Sequence, residues 1–174
     1  YCDDLKSKKR IQCTTVLNII LECLLKLFAP IFVFTTEEIY NLVNKKEESI
    51  HESTFAIIPK YWKNEKLNKK WKELFSLKQE VNLAIEEKRS NKEIGSSLEA
   101  EMEIYTNSEN FNLMEGLDLA EYFITSKATK VENTDKNEKT KIIIKKAKGN
   151  KCSRCWKIVD NICQRCKKIE SSSN

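Results

Sequence analysis

Four cysteines near the end of the sequence fall into two pairs of identical spacing, Cys152-Ser153-Arg154-Cys155 and Cys163-Gln164-Arg165-Cys166. A tight Cys-x-x-Cys turn delivers two thiolates to one side of a metal, and a second turn closes the other side. That is the ligand pattern of tetrahedral zinc. With all four positions held by protein sulfur, none is left for water, so the expected ion is one structural Zn²⁺ that neither polarises a substrate nor generates hydroxide. Two other readings use the same residues, a pair of disulfides or an oxidoreductase dithiol, and a redox pair accounts for only one of the two turns.

The charge distribution points the same module toward a polyanion. The 174 residues carry a formal net charge of +5. Between Lys139 and Lys168, eleven Lys or Arg stand against Asp160 alone, which gives this stretch +10 and leaves −5 for the remainder. Four thiolates on one Zn²⁺ lower the local charge by two and leave a positive surface suited to phosphates. Lysine is abundant throughout, so the lysines alone say little. The four arginines say more, because Arg154 and Arg165 occupy the same position in the two turns.

The elements that must carry this module are mostly helical. Apolar residues make up 40% of the chain, enough for a core, and the sequence does not have the composition of a disordered protein. It opens on Tyr1 as if already inside a helix, and a piece of a longer chain is expected. Residues 16 to 34 are the one candidate membrane span, but Asn18, Glu22 and Lys26 form a polar stripe and Pro30 interrupts the run, so a soluble cytosolic protein without a membrane segment is expected. In that compartment Cys2, Cys13 and Cys23 read as filler.

In order, residues 3 to 29 form a helix apolar around most of its circumference, which belongs in a bundle with partners beyond this sequence. Pro30 ends it. Thr35-x-x-Glu38 reads as a capping box, with Phe34 and Ile39 as a hydrophobic staple, opening a second helix that runs to about Asn44. A charged loop covers 45 to 53, and 49 to 59 is extended. Leu67, Trp71, Leu74, Phe75, Val81, Ala84 and Ile85 mark a long amphipathic helix from 67 to about 90. Ile94-Gly95-Ser96-Ser97 is a turn, 98 to 105 a strand, 109 to 119 a short helix, 122 to 124 and 128 to 131 short strands, 132 to 139 a loop, and 141 to 146 the last strand.

No catalytic constellation accompanies these elements. The three glycines form no G-x-G-x-x-G or P-loop, and there is neither an H-E-x-x-H nor a serine elbow. His51, the one histidine, has no second ligand or nucleophile at useful spacing. The chain reads as a binding appendage.

Several stretches then agree in order: Tyr1-Cys2-Asp3-Asp4 with Ser7; Ala29-Pro30-Ile31 leading to Phe34-Thr35-Thr36-Glu37-Glu38-Ile39; Ser49-Ile50-His51; Ile94-Gly95-Ser96-Ser97-Leu98-Glu99-Ala100; and Lys151-Cys152-Ser153-Arg154-Cys155-Trp156. Together they resemble the C-terminal portion of bacterial isoleucyl-tRNA synthetase, a class I aminoacyl-tRNA synthetase. The zinc pattern alone is shared with a finger of certain DNA glycosylases, and a valine or methionine synthetase is conceivable from the helical part. Ile94 to Ala100 and the zinc segment argue for isoleucine.

The resemblance implies a multi-domain, mainly α chain. Residues 1–64 would be the end of an anticodon-binding helical bundle, 65–148 a long helix with a small α+β junction domain, and 149–169 a four-cysteine zinc-binding module, with a disordered tail at 170–174. The expected partners are the tRNA for isoleucine and the upstream catalytic and editing domains of a monomeric, cytoplasmic parent. The family's signature motifs for ATP and aminoacyl-adenylate chemistry are absent from these residues, so ATP and Mg²⁺ belong to missing upstream parts. The loop between Cys155 and Cys163 looks shorter than is usual in the family, and no contact is carried over from it. On physical grounds Lys151, Arg154, Lys157, Arg165, Lys167 and Lys168 can neutralise phosphates, and Trp156 can either stack on an unpaired anticodon base or pack over the zinc site. The alternative function is a free-standing zinc-ribbon protein that binds DNA or a protein partner.

Overall fold

The computed structural model describes residues 3–44, 48–133, 140–160 and 163–172. Two compact units divide between Lys63 and Asn64.

In the first unit, α1 (Lys8–Phe28) starts later than the apolar pattern suggests, because Asp4 and Ser7 bend the chain ahead of it. The Ser7 hydroxyl caps the helix by accepting the Arg10 N–H at 3.2 Å. Ala29 is the C-cap and Pro30 follows, as a helix end requires. By length and composition α1 could cross a membrane, yet it carries the Glu22–Lys26 ion pair at 2.7 Å. Within the unit it buries Leu25 against Ala29, Tyr40 and Ile50, with Leu21 and Ile39 packed alongside.

The next helix, α2 (Val33–Asn44), corrects the expected capping box. It begins two residues before Thr35, because the Phe32 carbonyl already accepts the Thr36 N–H at 2.9 Å, and Phe32 N–H itself bonds back to Phe28. Thr35 is therefore inside the helix. Phe34 is 88% exposed and forms no staple.

Two of the stretches that carried the resemblance turn out to be one hydrogen-bonded unit. The Glu37 carboxylate on α2 accepts the Ile50 N–H and the Ser49 hydroxyl, each at 2.9 Å. Ile50 is thereby seated in the small core as the start of a 3-10 turn, Ile50–Glu52, where an extended segment was expected. The His51 ring nitrogen Nε2 lies 3.3 Å from the Val33 carbonyl, a tie between the same two segments. Beyond it, Phe55, Ile57 and Ile58 are exposed.

The second unit is organised by α3 (Glu65–Ser90), capped by the Asn64 side chain, and by a three-stranded sheet. Leu74, Leu77, Val81 and Ile85 form the buried stripe of α3, whereas Leu67, Trp71 and Phe75 from the expected stripe are substantially exposed. Trp71 meets the Tyr122 ring at 5.8 Å. In the centre of the sheet lies β1 (Ala100–Thr106), parallel to β2 (Lys127–Glu132) and antiparallel to β3 (Lys141–Lys146). Its alternating residues Ala100, Met102, Ile104 and Thr106 are fully buried, with α3 in the same core.

The crossover from β1 to β2 corrects two expectations. In place of one helix from 109 to 119 there are two, α4 (Ser108–Leu113) and α5 (Leu119–Tyr122), separated by a turn in which Gly116 takes φ +77°. In place of a strand at 122 to 124, α5 ends in a left-handed turn at Ile124 (φ +58°), closed by the Thr125 N–H on the Ala120 carbonyl at 2.9 Å. Most of the expected loop at 132 to 139 lies outside the described residues.

Hydrogen bonds to the ionised form hold the Glu37 carboxyl below its usual range, that from Ile50 N–H first, followed by those from Ser49 and Asn41. A depressed folded-state value stabilises the fold above the ordinary carboxylate range and loses that contribution as pH falls through the folded value. Glu37→Gln should accordingly lower the melting temperature of the first unit at pH 7, and the difference from the parent should shrink on acidification in a paired thermal-melt series.

Candidate metal centre

Beyond β3 the chain passes Gly149 and forms a short hairpin, β4 (Asn150–Lys151) against β5 (Ile158–Val159). A side chain does not fit at Gly149. Its φ is +122°, and a Cβ there would stand 2.6 Å from the Val159 carbonyl oxygen across the hairpin. The first cysteine turn fills the end of this hairpin. Cys152 donates its N–H to the Lys157 carbonyl at 2.9 Å and accepts the Trp156 N–H on its own carbonyl at 3.0 Å. The second turn leads into α6 (Gln164–Ser172), where Lys167 N–H bonds to the Cys163 carbonyl at 2.9 Å.

The helix α6 runs through Ser172, into the stretch expected to form a tail. The polar run Glu170-Ser171-Ser172 continues a helix that Cys163 starts, and the Ser171 hydroxyl bonds to the Lys168 carbonyl at 2.9 Å.

The sulfurs of Cys152, Cys155 and Cys166 all lie within 4.8 Å of one another, a group that could hold a metal ion. Cys163, at the start of the second turn, is outside this mutually close group of three, although the Cys155 and Cys166 thiols influence its ionisation. All four are free thiols. Cys166 is fully buried and Cys152 nearly so, while Cys155 and Cys163 are half-buried.

The two turns repeat one electrostatic arrangement. In the first, the Cys152 sulfur receives the backbone N–H groups of Cys155 and Arg154, which pull its thiol down to about 6. In the second, burial works against ionisation of Cys163, but the N–H groups of Cys166 and Arg165 together with the Cys155 and Cys166 thiols outweigh it and the thiol is again lowered. The second cysteine of each turn behaves oppositely. Burial raises Cys155, and it pushes Cys166 up to about 12, with the neighbouring sulfurs adding to the shift in Cys166 and the Arg154 side chain opposing it.

This donor set fits a divalent soft cation. Each turn prepares one thiolate with backbone N–H groups, and each leaves one thiol whose proton a cation would displace. Arg154 Nη1, 3.9 Å from the Cys166 sulfur, adds positive charge at the buried end of the group.

The other expected site residues surround it. Trp156 is 60% exposed and, for a bulky residue, holds an uncommon left-handed backbone (φ +64°), with the Lys151 ammonium 5.2 Å from the centre of its ring. Lys157 is half-buried, and its carbonyl closes the first turn. On α6, Arg165 is half-buried, while Lys167 and Lys168 are exposed. Lys151, Lys167 and Lys168 are exposed, and Arg154 lies against the cysteine group. That inward role was not evident from spacing, which gives the two arginines equivalent positions.

If the site holds a metal, the chain should bind one ion, removable by a chelator, and Cys166→Ser should abolish it. Protons should compete for the sulfurs increasingly below pH 6, where Cys152 regains its proton. Metal content after dialysis across a pH series checks both expectations.

Residues 1–104 match the family model described as the anticodon-binding domain of tRNA ligase. Along most of its length the chain is also similar to proteins named isoleucine--tRNA ligase. Identity is 48% with that of Pelagibacter ubique over 95% of this chain, 34% with that of Methylacidiphilum infernorum over 97%, and 32% with that of Natranaerobius thermophilus over 100%. The matches cover 18%, 19% and 21% of those relatives, so the chain spans about a fifth of their length. A family model over more than half the sequence and a relative 48% identical across nearly all of it place the chain in the isoleucine--tRNA ligase family.

Proposed function

We propose that this chain is the tRNA-binding, C-terminal part of an isoleucyl-tRNA synthetase, holding the anticodon end of the isoleucine tRNA while upstream domains of the same polypeptide carry out ATP- and Mg²⁺-dependent isoleucylation. Cys152, Cys155, Cys163 and Cys166 would hold one structural Zn²⁺, which supplies no chemistry beyond fixing a segment too small to have its own core. Lys151, Arg154, Lys157, Arg165, Lys167 and Lys168 provide the positive field, with Arg154 acting largely through the cysteine group. Trp156 offers a ring on which an unpaired base stacks. The parent is a monomeric cytoplasmic enzyme with no membrane attachment.

The observation that carries this reading is Trp156. An aromatic ring 60% exposed, on a backbone state costly for its residue type, beside a lysine ammonium at 5.2 Å, suits contact with a base and a phosphate better than a packing role. Similarity to synthetases along almost the whole chain favours this reading over a free-standing zinc ribbon.

Binding to the isoleucine tRNA, compared with a noncognate tRNA as salt is raised, tests the proposal. Trp156→Ala should weaken cognate binding by about 1–3 kcal/mol while leaving the salt slope unchanged. Removing Lys151, Lys167 and Lys168 together should flatten the log–log salt dependence by about 0.7–0.9 for each phosphate that is no longer neutralised. Equal binding of both tRNAs that is indifferent to chelator would show that the module supplies only general attraction.

A further inference from the structure

We propose that the Ser126 hydroxyl is a positioning group that sets the orientation of the cysteine module on the α+β domain, and through it the placement of Trp156 and Lys151 against RNA. This rests on the RNA-contact reading above.

Three consecutive carbonyls at the entrance to β1 form the acceptor side of the joint. The Leu98 carbonyl accepts the Ser126 hydroxyl, the Glu99 carbonyl accepts Ala147 N–H at 2.7 Å, and the Ala100 carbonyl accepts Ser126 N–H at 3.0 Å. Ser126 Oγ in turn accepts the Ile158 N–H of β5 at 2.6 Å. One hydroxyl therefore relays between the β1 entrance and the metal hairpin, donating to one and accepting from the other. A hydroxyl has both functions in one atom.

The covalent route between the two parts runs from β3 through Ala147, Lys148 and Gly149, and the Ala147 bond to Glu99 secures only its near end. Ser126 secures the far end. Ile158 pairs with Lys151 across the hairpin and is two residues from Trp156, so a rotation of the hairpin would carry both RNA-facing groups with it. The location of Ser126 is itself tightly set. Ile124 is β-branched yet left-handed, at φ +58°, and Thr125 beside it is fully buried. Together they deliver Ser126 to the carbonyl row.

The test uses the full-length synthetase that carries this chain, with Ser126→Ala, Ser126→Thr and a Lys151→Ala/Lys167→Ala/Lys168→Ala variant. Measured for each are metal content, amino-acid activation by ATP–pyrophosphate exchange, kcat and KM for tRNA, and amide exchange at Ile158. Ser126→Ala should raise the KM for tRNA about five- to tenfold, the worth of one buried hydrogen bond. Metal content, activation and kcat should hold, and Ile158 exchange should accelerate. Ser126→Thr should restore the KM. A normal KM in Ser126→Ala alongside a raised KM in the lysine variant overturns the positioning role and leaves the RNA contact standing. A normal KM in both overturns the RNA contact, and the positioning claim that rests on it. Unchanged Ile158 exchange, or loss of metal or activation in Ser126→Ala, overturns the proposal by showing either no tie or a purely structural one.

Discussion

A strand in the middle of a sheet must find partners for its backbone groups on both edges, and in the second unit that demand falls on β1. It is met by a parallel neighbour on one side and an antiparallel neighbour on the other. The two neighbours are reached very differently. To bring β2 alongside in parallel, the chain must return to the end of the sheet where β1 began, and α4 and α5 lie in that crossover. The carbonyls just ahead of β1 have no strand opposite them, and the neighbouring loops supply their donors. The stretch from Ile94 to Ala100 therefore has a physical reason to be distinctive. It lets a buried strand begin without orphaned polar groups, and Gly95 leaves room for the Glu99 carboxylate to accept the Gly95 N–H at 2.9 Å.

The cysteine group obeys a different constraint. Thiolates crowded into one small volume repel one another, so without a cation only some can ionise, and the remainder retain protons. The lowered and raised thiols alternate within each turn mainly because backbone N–H groups favour ionisation of the first cysteine and burial opposes it at the second, with the neighbouring sulfurs adding to the difference. Backbone N–H groups prevail at Cys152 and Cys163, and the cost of burying charge prevails at Cys155 and Cys166. A divalent ion would relieve the repulsion that the protein's own dipoles relieve only halfway.

Much of this was legible in the sequence where a pattern repeats. The two Cys-x-Arg-Cys turns repeat one spacing, the later part of the α3 stripe is the part that is buried, and the run of three isoleucines marks β3. Single-residue signals fared worse. Thr35 followed by Glu38 has the form of a cap, but Phe32 starts the helix first, and Glu37, one residue away, does the capping work on a different segment. Tyr122-Phe123-Ile124 looks β-prone, yet its place at the end of a helical turn overrides that preference. The inward role of Arg154 and the relay through Ser126 depend on residues 12 and 32 positions apart, and no local pattern encodes such a meeting.

The order in which these groups lie along the chain bears on its synthesis. Every group that receives the cysteine hairpin, from Leu98 through Ser126 to Ala147, precedes Cys152 in sequence, so the dock is built from residues that leave the ribosome first. Translation proceeds at about 5–20 residues per second, so on the order of one to a few seconds separate the last strand of the sheet from Cys166. The residues that receive the hairpin thus precede all four cysteines in the order of synthesis.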